Sequence, residues 1–163
     1  MRRSAPAGEA RPMKHLFLAG LFASIAFSAS AAEAPDCVGE GPVRLIVNVS
    51  GVRSAAGEMA VTLYPDDPNR FLAPGGKQAR IRMPASAPVT QACFRVSPGA
   101  YGVAVYHDAN ANHDFDRTVV GMPAEGFGFS NNPQNLTALP DYDSVRTVVR
   151  NADKAISIRL QYP

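Results

Sequence analysis

From Val43 to the end of the chain, apolar and polar positions alternate in short runs, and each run closes on Gly, Pro, Asn or Asp. A two-residue period punctuated by turn formers is the pattern of β-strands. Strands are predicted at 43–52, 58–64, 78–83, 89–96, 100–107 and 155–162. In the second, Met59, Val61 and Leu63 share one face and Ala60, Thr62 and Tyr64 the other; in the third, Ile81 and Met83 point inward between outward Arg80 and Arg82. In the last, Ile156, Ile158 and Leu160 alternate with Ser157, Arg159 and Gln161, which predicts one buried and one wet face. The 50–57 connection reads as a hairpin, and Pro65-Asp66-Asp67-Pro68-Asn69 stops pairing abruptly. Beyond residue 31 no segment keeps a helical period long enough to count. Roughly seven short strands in one domain's length predict an all-β fold, an antiparallel two-sheet Greek-key sandwich, with a small closed barrel as the alternative.

Either architecture leaves 108–151 as an excursion too long for a plain hairpin loop. Three things can organise it: a metal ion, a local strand pair such as Thr118–Gly121, or packing of Phe127, Phe129, Leu136 and Leu139 over a sheet edge or face.

The amino terminus carries Arg2, Arg3, Arg11 and Lys14, then an uncharged run from Leu16 to Phe27, then Ala29-Ser30-Ala31. A basic segment, an apolar run too short to span a bilayer and an A-x-A site make a secretory signal peptide, with cleavage expected after Ala31. Met13-Lys14-His15 offers a second start. The expected division is residues 1–31 as signal peptide and 32–163 as a single β-sandwich domain, with no transmembrane segment after cleavage. Cleavage also changes the charge balance. The signal removes four basic residues and one acid, so 12 of 16 Lys plus Arg stay against 13 of 14 Asp plus Glu. The formal net charge of +2 therefore belongs to the leader, and a nucleic-acid partner loses its support. Cys37 and Cys93 both survive cleavage into an oxidising compartment, and an even count there implies a disulfide.

Asp108, Asn110, Asn112 and Asp116 stand at relative positions one, three, five and nine, with Asp114 at seven able to offer a backbone carbonyl. That spacing lets a tight loop turn oxygens toward one hard cation, and calcium is the candidate. Val119 stands where an EF-hand carries its bidentate Glu, so the expected affinity is weak, roughly 10⁻⁴ to 10⁻³ M. The competing reading is turn chemistry alone, since Asp and Asn bond their own backbone two residues on. His107 and His113 with a neighbouring aspartate make a third reading, a transition-metal site, without the helical spacing or cysteine partners of recognisable zinc sites.

The succession Pro98-Gly99-Ala100-Tyr101, His107-Asp108 with Asn110 and Asn112, and Gly126-Phe127-Gly128-Phe129-Ser130-Asn131-Asn132 resembles the bacterial domain-of-unknown-function family 2141. The resemblance covers nearly all of the chain beyond the leader, and the glycine-phenylalanine run is specific. It implies export and a transthyretin-like or immunoglobulin-like sandwich, and it brings no activity with it. Members usually read Asn-Gly at the loop's second asparagine; here His113 follows Asn112, where a calcium loop needs positive φ.

Phe127 and Phe129 fall on one face, either as core or as a platform for a sugar or peptide, with Asn131 and Asn132 as bidentate amides or as turn caps. No G-x-S-x-G elbow, Cys-His pairing or phosphate loop is present, and no catalytic residue is assigned. The sequence therefore supports a periplasmic or secreted bacterial binding or structural module. Its expected partner is an envelope glycan or protein. A hydrolase built on the acidic loop at 107–116 is the alternative.

Overall fold

The computed structural model describes residues 36–134 and 139–163, all within one compact unit, Glu33–Pro163. The signal-peptide reading, the start at Met13 and Leu136 lie outside the described residues. Eight strands form: β1 (Val43–Ser50), β2 (Glu58–Tyr64), β3 (Ala79–Pro84), β4 (Val89–Val96), β5 (Gly99–Asp108), β6 (Gly126–Phe129), β7 (Thr147–Val149) and β8 (Lys154–Arg159). A single helical turn, α1 (Tyr142–Val145), precedes β7.

β2 and β4 keep the limits that alternation predicts, and the others differ at their ends. The first strand stops at Ser50, because Gly51 turns the chain at φ +77°. The last strand ends at Arg159 rather than Tyr162. The Leu160 N–H then bonds Ser50, and Gln161 exchanges two backbone hydrogen bonds with Phe127. Thr118–Gly121 is a turn rather than a strand pair: Gly121 donates to the Thr118 carbonyl, and the flanking bridge joins Arg117 to Pro123.

The strands make two sheets, ordered β4-β1-β8 and β3-β2-β5-β6, with β7 also on β5. The chain crosses between sheets from β1 to β2, from β3 to β4, from β4 to β5 and from β7 to β8. The architecture is a two-sheet sandwich, not a barrel. One pairing breaks the antiparallel rule, since β1 runs parallel to β8. Alternation places Leu45, Val47 and Val49 of β1 opposite Met59, Val61 and Leu63 of β2, closed by Phe94, Val103, Val105 and Ile158, all nearly or fully buried. Burial of this apolar area, at about 25 cal/mol per Å², is what holds the sheets face to face.

Cys37, ahead of β1, is joined to Cys93 of β4 with their Cα atoms 4.4 Å apart. Val38 forms a bridge to β4 beside the disulfide, with its N–H on the Cys93 carbonyl at 2.9 Å. The bond closes a sequence separation of 56 residues. Chain entropy for such a loop is worth about 4 kcal/mol.

Candidate functional site

The five-stranded sheet is covered on its outer face too, and this is where the site forms. Every residue of β2 after Glu58 is buried, including the outward Ala60, Thr62 and Tyr64. Register sets two cross-strand rows on that face. One is Arg80, Thr62, Ala104 and Phe129; the other is Arg82, Ala60, Tyr106 and Phe127. Phe127 and Phe129 therefore share a face, as their spacing predicts. Their rings lie outside the inter-sheet core, in a second apolar cluster with Tyr142 and Val145.

The glycines of the same run explain its composition. Gly126 and Gly128 face the other way, toward the end of the second sheet. A Cβ on Gly126 would sit 2.4 Å from the Tyr162 ring, and one on Gly128 would sit 2.8 Å from both Ile158 and the Arg159 carbonyl. Ser130 fills the gap where the edge of β5 passes from β6 to β7. Its N–H bonds the Val103 carbonyl at 2.9 Å, its hydroxyl accepts the Val103 N–H at 3.0 Å, and the same hydroxyl donates to Val145. Asn131 and Asn132 both have positive φ, and their amides engage backbone. Asn131 donates to the Ser144 and Arg146 carbonyls, while Asn132 accepts from Arg159 and donates to Ser157, standing in for a strand along β8.

Above this floor lies a groove of about 400 Å³. Its floor is Ala104, Tyr106, Phe127 and Phe129; Leu72 and Leu139 contribute to one wall, and Phe115, Met122 and Pro123 to another. Edge-to-face contacts hold the rings: Tyr106 to Phe115 at 5.4 Å, Phe115 to Phe127 at 6.1 Å, Phe127 to Phe129 at 6.0 Å and Phe129 to Phe71 at 6.2 Å. Such pairs each add about 0.5–1.5 kcal/mol beyond area burial. The size falls within the roughly 300–1,000 Å³ of small-molecule sites.

The acidic loop adjoins the groove through Phe115. Asp108, fully buried, accepts the Asn112 N–H on Oδ1 and both the His113 N–H and the Arg82 guanidinium on Oδ2, at 3.1, 2.8 and 3.1 Å. Asn110 Oδ1 accepts the Asn112 N–H and Asn112 Oδ1 the Asp114 N–H, while both asparagine amide nitrogens donate to Asp116. The structure thus gathers Asp108, Asn110, Asn112 and Asp116 in one loop, with Asp114 held through its backbone. Asp116 lies on the amide-nitrogen side of the asparagines. Glu125 ties the loop to β6 by accepting the Ala109 and Asp116 N–H groups. Burial raises the Glu125 carboxyl above the ordinary carboxylate range, with the Asp108 and Asp116 charges acting the same way and the Asp116 N–H opposing it.

The two histidines do not converge. His107 is buried in β5 between the Tyr162 hydroxyl and the Ala56 carbonyl, at 2.8 Å each, whereas His113 lies exposed with Nε2 3.2 Å from Glu58. Facing a carbonyl, His107 Nε2 is the donor and Nδ1 the acceptor. Among the described residues, no group of three or more His, Cys, Asp or Glu side chains is placed to hold a metal ion.

Tyr64, Tyr106, Phe115 and Met122 were not singled out by sequence reasoning. Their one signal is that Tyr64 shares a β2 face with Ala60 and Thr62, opposite the aliphatic Met59, Val61 and Leu63.

Fold and site together define an all-β sandwich with an aromatic groove on the outer face of its larger sheet. The chain matches the family model of DUF2141, an uncharacterized protein conserved in bacteria, over residues 47–157, and it belongs to that family. No curated protein and no solved structure matches it.

Proposed function

We propose that residues 32–163 act as an exported binding module of the bacterial envelope, periplasmic or secreted, that takes a small apolar ligand in the groove over Phe127 and Phe129. The observation that carries this reading is a face lined with aromatic rings that the fold covers only in part. Met122 and Leu139 keep 57% and 59% of their surface exposed beside it. The basic-apolar leader and the Cys37–Cys93 disulfide support export. The chain has no tryptophan, so Met122→Trp places one fluorophore on the groove rim. Its emission should shift saturably with 1-octanol, and Ala104→Phe, which fills the floor, should abolish the response. Emission that ignores octanol sinks the reading.

Calcium in the acidic loop is a second reading, favoured by one observation. His113 takes φ +71° at the position where a calcium loop normally needs glycine. The expected result is a saturable rise in unfolding midpoint with calcium relative to EDTA. It should approach about 2.7 kcal/mol at a hundred times the dissociation constant and be absent in Asp116→Ala. A midpoint unchanged to several millimolar calcium leaves the loop as turn chemistry.

A further inference from the structure

We infer that the groove selects an amphipathic carboxylate, an apolar chain or ring ending in one anionic head; the inference rests on the groove reading and narrows its ligand class. Two guanidinium groups, Arg80 and Arg117, line the groove, and no aspartate or glutamate does. Both are exposed to solvent, so each guanidinium is hydrated and needs no internal carboxylate, although a neighbouring strand can supply one. Arg82, one row away on the same strand, has this arrangement, with Asp108 at 3.1 Å and Glu58 at 3.7 Å. Arg80 and Arg117 do not, among the described residues. Arg80 donates to the Thr62 hydroxyl at 2.8 Å and lies 5.8 Å from the Tyr106 ring centroid. Arg117 donates to the Gly121 carbonyl at 3.0 Å and lies 5.1 Å from the Phe115 ring centroid.

Both guanidiniums are held against aromatic rings by neutral partners, which fixes their direction and leaves their charge unmatched. Each carries five N–H donors, so one hydrogen bond to Thr62 or Gly121 leaves donors for a two-oxygen acceptor. Tyr64 and Thr62 border Arg80 in the groove and add neutral hydroxyls. The rest of the lining is apolar apart from the Tyr106 hydroxyl, which is already engaged by Arg82, and it suits an alkyl or aryl body. A monoanion with an apolar tail satisfies both halves of this surface. A neutral alcohol of the same length satisfies only one.

The test compares octanoate with 1-octanol on protein expressed from the full chain carrying Met122→Trp, read by tryptophan emission at low ionic strength. Octanoate should bind at least about tenfold tighter than octanol, and salt should narrow that gap. Arg80→Gln and Arg117→Gln should each weaken octanoate about fivefold while leaving octanol unchanged, with far-UV circular dichroism confirming the fold. Equal affinity for the two probes, both lost in Ala104→Phe, would leave the groove reading standing and overturn the carboxylate. Octanoate binding that is indifferent to both arginine substitutions would overturn it equally. No saturable response to either probe would overturn the groove reading with it.

Discussion

Arg82 reaches four partners from one guanidinium. Its Nη1 lies 3.1 Å from Asp108 and 3.7 Å from Glu58, and its Nη2 donates to the Tyr106 hydroxyl at 2.7 Å and to the His113 carbonyl. The side chain therefore pins the acidic loop to the outer face of β3, β2 and β5. Asp108 has no exposed surface, so without Arg82 its carboxylate would rely on two backbone N–H groups alone. Breaking a buried pair from one side leaves an uncompensated charge, and Arg82→Leu is expected to cost about 2–4 kcal/mol in urea unfolding. Asp108→Asn added to that variant should recover part of the loss, because the orphaned charge goes with it. A loss below about 0.5 kcal/mol, within the range of ordinary surface substitutions, would show that the loop holds itself.

At the scale of elements, β2 and β4 were legible to the residue because alternation and the breakers around them agree. Gly57 and Pro65 bound one, and Pro88 and Pro98 stand at the limits of the other. The end of β8 was not legible. Alternation runs on through Leu160 and Tyr162, but it reports burial rather than partner, and after Leu160 the chain leaves β1 for Phe127. β6 illustrates the opposite case. Its glycines look like weak strand residues, yet they are what permits the second sheet's end to approach within van der Waals reach, while its phenylalanines turn outward. The groove itself was hidden because its walls come from Leu72, Met122 and Leu139, which no local pattern relates to one another. Phe127 and Phe129 on its floor, which their spacing sets on one face, were the readable part. The acidic loop's side chains bond one another and the loop backbone, but Arg82 as the partner of Asp108 was beyond their spacing, since the two are joined only by the register of β3 on β2 and β2 on β5.

Across the whole molecule, two exposed ion pairs tie peripheral segments to the sandwich. Arg146 and the Tyr142 hydroxyl fasten the α1 segment to Asp66 beyond β2, and Arg44 on β1 holds Asp153 just before β8. The Arg146 hydrogen bond holds the Asp66 carboxyl below its ordinary range, as the Arg44 backbone N–H does for Asp153. Burial and the Asp66 hydrogen bond push the Tyr142 hydroxyl up to about 12, so it stays a donor throughout the working range. A carboxyl with a depressed folded-state pKa contributes stability that is fully present above its unfolded value, 3.8, and is lost as pH falls through the folded one. Glu125 has the opposite sign. Its raised folded-state pKa makes the folded chain the better proton binder, so stability declines as pH climbs from its unfolded value of 4.5. Asp66→Asn keeps the side chain's shape and removes its charge. Its midpoint deficit against the native chain should be constant well above pH 3.8 and should shrink as pH falls through the depressed folded-state value. A deficit that persists undiminished at the acid end would mean that Asp66 acts through hydrogen-bond geometry rather than charge.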